Sequence, residues 1–528
     1  MAQGEARRHD ESSDETDENS ELTCLLPQSP QPEQRRAASS PISSWTWSSA
    51  PSAYVRKVPE SSYVITILYA IVFLASFSGA FIELPLVRLI EDAICQDYYD
   101  VGSSSLPIDE SDCKEDAIQK QLAYLLAVQS TLSSIVAFVA TLPWGLAADK
   151  IGRKPIVAIA MFGLLVGSLI EMAVIYWRNV FPITAIWISS SSQLIGGGNG
   201  MLVAVVLSMV ADATSEEGRA IAFLRIHVAS LSGNLSSPSL AGFVMQRSGP
   251  WTPQLIGVGF FLVGGILFFF LTETLEQKEL SRETRNPEPS SLRSVISRIG
   301  HQFLDSLSIL TSPSLILLLV AALGSIPVMD STLQFLNQFI SKRYHIKIAQ
   351  TGYVQTMYGV ASIVMTLFIL PWISGLVINP ATPARYRAKN EHCRDLSLAR
   401  WSYVILFFGS LTLGLSMTLG GFVFGLFLMA LGSGFGSLSK SLMSIYVDPA
   451  HWSRLFSIVG MIEMVGSIFS LPLLAGLFTL GLEWHGVWIG LPYLGLAVLI
   501  AVTGSLLIFV RVPRQDGDSM VPGDYEEA

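Results

Sequence analysis

Charged residues are scarce in this chain: they make up 14% of its 528 residues, against 50% hydrophobic ones. A soluble chain carries about 25% charge, so the deficit removes the polar helix faces a soluble multidomain enzyme needs. Cysteine is nearly absent too. Cys24, Cys95, Cys113 and Cys393 stand at no zinc or haem spacing, so no metal and no cofactor is expected. No phosphate-binding glycine-rich loop occurs, which argues against an ATP-driven pump. The Ser-rich runs have no His partner at a consistent depth, so no hydrolytic or redox constellation forms and no enzyme is expected. A cleavable signal peptide is not evident, because the first sixty residues are polar and acidic. The first span is expected to act as the insertion signal.

What the chain has is apolar runs near twenty residues, with a mean hydropathy of +0.48. That pattern predicts an all-α integral membrane protein in a lipid bilayer, with twelve spans in two six-helix bundles. The spans are expected at about 64–89, 120–142, 155–177, 181–210, 219–245 and 251–271, then 314–340, 352–377, 401–419, 422–446, 455–480 and 487–510. The domain plan follows: a disordered cytoplasmic tail at 1–62, a first half at 63–272, a cytoplasmic linker at 273–313, a second half at 314–511 and a tail at 512–528. The net charge of −9 sits largely in the two tails, so it points to no nucleic-acid partner. Within the first tail, Glu21-Leu22-Thr23-Cys24-Leu25-Leu26 resembles an acidic dileucine sorting signal. Glu21, Leu25 and Leu26 would then meet a sorting adaptor; otherwise they are ordinary residues of a polar tail.

Orientation comes from one loop, Gly145-Leu146-Ala147-Ala148-Asp149-Lys150-Ile151-Gly152-Arg153-Lys154-Pro155. A short cationic loop between two spans is expected on the cytoplasmic face. Arg56 and Lys57, the linker, the loop after helix 8 and Arg511 and Arg514 agree, which places both termini in the cytoplasm. Lys342, Arg343 and Lys347 are an exception on the outer side. The plasma membrane and the vacuolar membrane both remain open as the location. Cys95 and Cys113 share the outer loop after helix 1, where a disulfide can form; two unpaired thiols are the alternative.

The halves resemble each other. Helix 5 contains Pro238-Ser239-Leu240-Ala241-Gly242 and helix 11 contains Pro472-Leu473-Leu474-Ala475-Gly476. Helices 1 and 7 each place a carboxylate, Glu83 and Asp330, five residues after a Ser. Asp395 to Arg400 is a degraded echo of the loop at Gly145. Two related six-helix halves describe a secondary transporter with its site between them.

The residues Gly145, Asp149, Lys150, Gly152, Arg153 and Lys154 match the signature G-x-x-x-D-R/K-x-G-R-R/K between helices 2 and 3. On this motif the chain resembles the major facilitator superfamily, and within it fungal multidrug and secondary-metabolite efflux transporters. The resemblance spans about 63–511 and implies a gating role for the signature. In physical terms, Gly145 is expected to let helix 2 pack closely on a neighbour. Gly233, Pro238 and Gly242 keep part of the helix-5 pattern of the family's antiporters, which implies export. Ser192 stands where proton-coupled members carry an Arg, so the usual proton relay does not carry over.

Ionisable groups inside spans are functional candidates by default. Glu83 and Asp330 are candidates for the proton or the substrate, with pairing of Glu83 to Arg88 as the structural alternative. Glu463 and His227 lie at similar depth and are candidates for a shared proton site, unless Glu463 pairs with Arg225 or Lys440. Glu171 is expected to snorkel near the outer end. The reading is secondary active transport of a small organic molecule by alternating access, with proton-coupled efflux. The alternatives are proton-coupled uptake of a folate-like or other organic anion, and a non-transporting sensor on the same fold.

Overall fold

The computed structural model describes residues 60–99, 109–214, 216–271, 312–378, 391–447 and 452–511. The tail with Glu21, Leu25 and Leu26, most of the central linker and the last residues lie outside this set. Among the described residues there are helices and turns and no strand.

Among the described residues, twelve rods follow in chain order. α1 is Glu60–Tyr98, α2 Asp116–Ile151 and α3 Arg153–Tyr176. A 3-10 stretch, Ile183–Leu194, leads into α4, Gly198–Ala213. α5 is Glu216–Ser248 and α6 Trp251–Phe269. α7 is Pro313–Tyr344. α8 is Ile348–Val364, continued by a π turn, Met365–Ile369, into Leu370–Ile378. α9 is Glu391–Leu415. α10 is Leu419–Gly432 continued as Phe435–Ser444, α11 is Trp452–Trp484, and a 3-10 turn at Gly486–Gly490 opens α12, Leu491–Leu506.

Two of these differ from expectation for identifiable reasons. Helix 4 is not one rod, because Gly196, Gly197 and Gly198 all adopt positive φ and turn the chain between the 3-10 stretch and α4. α1 does not stop at 89. Its 39 residues reach roughly 58 Å at 1.5 Å per residue, nearly twice a ~30 Å hydrocarbon core. Cys95 is therefore a residue of α1 itself.

Ten of the described helices are long and apolar enough to cross a membrane. α5 is not among them, because Ser230, Ser232, Asn234, Ser236, Ser237 and Ser239 dilute its apolar run. Its hydroxyls are not left bare: Ser232 donates to Val228 O at 2.7 Å and Ser236 to Ser232 O at 2.8 Å. Others fasten it to α1, as where Ser237 donates to Phe77 O at 2.7 Å. A polar helix is tolerated at membrane depth when protein surrounds it.

α1–α6 form one half and α7–α12 the other. They meet along two main seams, α5 against α8 and α2 against α11. Each seam is shared core: Ala123 and Ala127 of α2 belong to the second half's apolar cluster, and Ile348 and Ala349 of α8 to one of the first half's. Large apolar side chains such as Phe269, Phe469 and Val498 remain exposed on the outside, the surface expected to meet lipid tails.

Candidate functional site

A cavity of about 270 Å³ lies between the halves. Its walls come from α1 (Glu83), α2 (Gln129, Ser130, Ser133), α7 (Gln334, Phe335) and α11 (Leu471, Ala475). Glu83 makes no hydrogen bond and no ion pair among the described residues, so its carboxylate faces the cavity unpartnered. The expected alternative partner is engaged elsewhere: Arg88 lies 2.8 Å from Glu91 and 3.7 Å from Glu110. Arg88 is five residues beyond Glu83, so it points to a different side of α1.

Gln129 joins this cavity to the interior of the first half. Its Nε2 donates to Glu171 Oε1 at 2.6 Å and to Ser189 Oγ at 3.3 Å, and Ser189 Oγ donates to the same Glu171 oxygen at 3.1 Å. Gln129 Oε1 is buried with no partner among the described residues. Glu171 therefore does not snorkel; α2 and the 3-10 stretch hold it. Two polar residues at similar depth in neighbouring apolar spans were the available signal. Gln334 faces the cavity, whereas Asn337, Gln338 and Gln355 are used for packing. Asn337 donates to Gln355 and accepts from Thr351, and Gln338 donates to Gln119 O at 2.8 Å.

The remaining candidates lie apart. Glu463 is 3.1 Å from Lys440 Nζ, an ion pair within the second half. His227 is exposed on α5 and meets no partner among the described residues. The shared Glu463–His227 site is not formed. Asp330 lies on α7, but its side chain is outside the described residues, as are those of Asp149 and Lys150.

The two ends of the bundle are built differently. At the end carrying the α2–α3 turn, Gly152 adopts φ 111° and its N–H closes α2 on Ala148 O. Arg153 donates to Ser208 O of α4 at 2.7 Å, and Lys154 to Phe269 O of α6 at 3.1 Å. Both bases thus sit on carbonyls late in helices, where the macrodipole favours cations. Arg400 does the same for the other half, donating to Leu507 O at 3.0 Å and Ile508 O at 3.0 Å beyond α12. Gly145 does not serve close packing as expected, since a Cβ there would meet nothing within 4 Å.

At the opposite end, Cys95 and Cys113 are joined by a disulfide. It holds a buried charge cluster: Lys114 Nζ lies 2.6 Å from Glu91 Oε1, which also accepts from Gln119 Nε2 at 2.7 Å. Buried charges persist only when paired in this way. From this cluster the contacts cross to the second half. Lys342 pairs with Asp116 at 2.6 Å and donates to Lys114 O. Glu110 Oε1 accepts from Ile348 N, the first N–H of α8, at 2.7 Å. The basic exception at Lys342 is thus a counterpart to the acidic loop. Arg343 instead binds Ser416 O and Gly486 O inside its own half.

Of the helix-5 residues, Gly233 lies against α1, where a Cβ would stand 2.7 Å from Phe73 O. Pro238 and Gly242 lie against α8. A Cβ on Gly242 would collide with Ala349 O, and one on Gly352 of α8 with Pro238 O. Ser239 N, next to the proline, donates to Thr356 Oγ1 of α8 at 3.2 Å, and that hydroxyl donates to Leu235 O at 2.9 Å. A side chain of one half thus completes the hydrogen bonding of a bent helix in the other.

A family model described as Major Facilitator Superfamily matches residues 117–384. The MFS-type transporter aprT of Aspergillus flavus is 28% identical over 461 residues, 86% of this chain and 89% of the relative. The MFS efflux pump atnC of Emericella nidulans is 28% identical over 455 residues, 82% and 85% of the two chains. Among solved structures, a POT family transporter in complex with a thioalcohol-conjugated peptide is similar in fold. Its TM-score is 0.55 at 12% identity, covering 84% of this chain and 95% of that one.

Proposed function

Because the chain belongs to the Major Facilitator Superfamily and is a multi-pass membrane transporter rather than an enzyme, we propose that it exports small organic molecules by proton-coupled alternating access. The central observation is Glu83, a carboxylate on the wall of the cavity between the halves with no hydrogen-bond or ion-pair partner among the described residues. It is free to exchange a proton with the cavity or to meet a cationic group on a substrate. Gln334 supplies hydrogen-bonding capacity on the same wall. A cavity lined by a carboxylate, with no Lys or Arg among the described residues of its wall, has the wrong sign for a folate-like or other organic anion. Export is supported by the relative from Emericella nidulans named as an efflux pump and by the retained helix-5 residues.

In this reading the α2–α3 turn faces the cytoplasm, as its bases require, and the disulfide end faces away. The contacts of Lys342, Glu110 and Gln338 close that outer end. They break when the halves rock, and the capping bases Arg153, Lys154 and Arg400 keep each half rigid. The signature is then a gate brace, with Asp149 and Lys150 as its remaining members.

The test uses the purified full chain in liposomes under an imposed pH gradient, with rhodamine 6G as a cationic probe. Gradient-driven dye movement is expected in the parent, lost in Glu83→Gln and retained in Glu463→Gln. Equal flux in Glu83→Gln and the parent removes Glu83 from the coupling step.

A further inference from the structure

The seams between the halves carry related sequence and are packed differently. α5 contributes Pro238 to Gly242 to one, and α11 contributes Pro472 to Gly476 to the other. On α5, Gly242 leaves no room for a Cβ; on α11, a Cβ on Gly476 would meet nothing within 4 Å. The space beside Gly476 is a groove of about 400 Å³ between α2 and α11. Tyr124, Val128 and Leu132 wall it from α2, and Pro472, Ala475 and Thr479 from α11. Tyr124 is 60% exposed and Leu132 37%, so the groove opens at the surface that faces lipid.

The groove and the central cavity are neighbours. Ala475 lines both. On α2, Leu126 faces the cavity and Ala127 the groove; on α11, Leu471 faces the cavity and Pro472 the groove. At Ala475 the wall between them is one small side chain. We propose that the α2–α11 groove is a lateral portal, through which apolar small molecules dissolved in the bilayer pass to and from the central cavity. The occupant is the substrate itself: an apolar body that fits the groove, with a hydrogen-bonding or cationic group that Glu83 and Gln334 can meet. The adjacency of groove and cavity, which share Ala475 as a wall, favours a passing substrate over a resident acyl chain. The proposal rests on the central cavity being the transport site.

The test labels the full chain in phosphatidylcholine vesicles with 3-trifluoromethyl-3-phenyldiazirine, a small apolar photoreactive probe, and maps adducts by mass spectrometry. Adducts are expected on Val128 and Leu132 in the groove and on Leu86 and Leu126 in the cavity. Gly476→Trp, which fills the groove, should abolish the cavity adducts and leave those on the exposed α6 residues Leu262 and Val263 in place. Leu132→Trp serves as the second plug. Groove adducts without cavity adducts in the parent would make the groove a lipid niche and overturn the portal. Cavity adducts that persist in both plugged variants overturn it as well. Labelling is read without transport, so a parent that labels in this way but moves no dye sinks the coupling scheme and leaves the portal standing.

Discussion

The α5–α8 and α2–α11 seams stand in equivalent places in the two halves, yet one is closed to backbone contact and the other is open enough to hold a small molecule. In the first, glycines on both helices let the backbones touch, and Thr356 bridges the bend at Pro238. In the second, the equivalent glycine faces space. The polar ties there are a 3.4 Å contact from Thr131 to Ile468 O and an exposed pair, Lys120–Glu483 at 3.1 Å. A shared motif thus sets local bend and small volume, while the partner helix decides whether that volume is filled. The closed seam has the makings of a hinge between the halves, and the open one those of a passage.

The sharpest way to break the comparison is to enlarge matching glycines. Gly352→Leu drives a side chain into Pro238 O and its surroundings. It should destabilise the protein by about 1–3 kcal/mol or more, seen as a lower melting temperature in detergent. Gly476→Leu should leave that temperature unchanged or slightly higher, since Gly is roughly 1 kcal/mol worse than Leu in a helix. Equal losses in the two variants would mean the seams do not differ. A smaller effect is expected of Thr356→Val, which keeps the shape and removes the bridging hydroxyl. Leaving Ser239 N and Leu235 O without that bridge should cost about 1–3 kcal/mol, and hydrogen exchange at Ser239 should rise while that in α11 stays as it was. Smallest is Lys120→Met at the end of the open seam. An exposed pair contributes about 0–1 kcal/mol, so stability should hardly move; a large drop would show that this pair, not apolar packing, holds α2 to α11.

Much of the plan was legible in the chain itself. The apolar runs point to the rods, the motif from Gly145 to Lys154 to the family, and the repeat of Pro238–Gly242 at Pro472–Gly476 to the two halves. The break in helix 4 was also written there, in three consecutive glycines, and was read as one span because hydropathy does not register backbone turns. Which way α1 faces was not legible. In a helix that is apolar nearly all round, a 3.6-residue period has no polar stripe to fix its rotation. So Glu83 has two readings, toward Arg88 or toward a cavity, and only the packing of α1 against α5, α6 and α2 separates them. Glu171 was misplaced for the same reason: depth along a helix is countable, but the direction of a side chain is not.

By itself the sequence determined the solvent, the all-helical class and the two-half repeat, because these follow from local composition and from duplication. The tertiary structure decided which carboxylate faces the central cavity, which bases meet which helix ends and which of two related seams is open. Those depend on contacts between residues far apart in the chain: Pro238 with Gly352, Lys342 with Asp116, Ala475 beside Leu126. Such contacts are set by helix rotation and approach, which no single stretch of chain encodes.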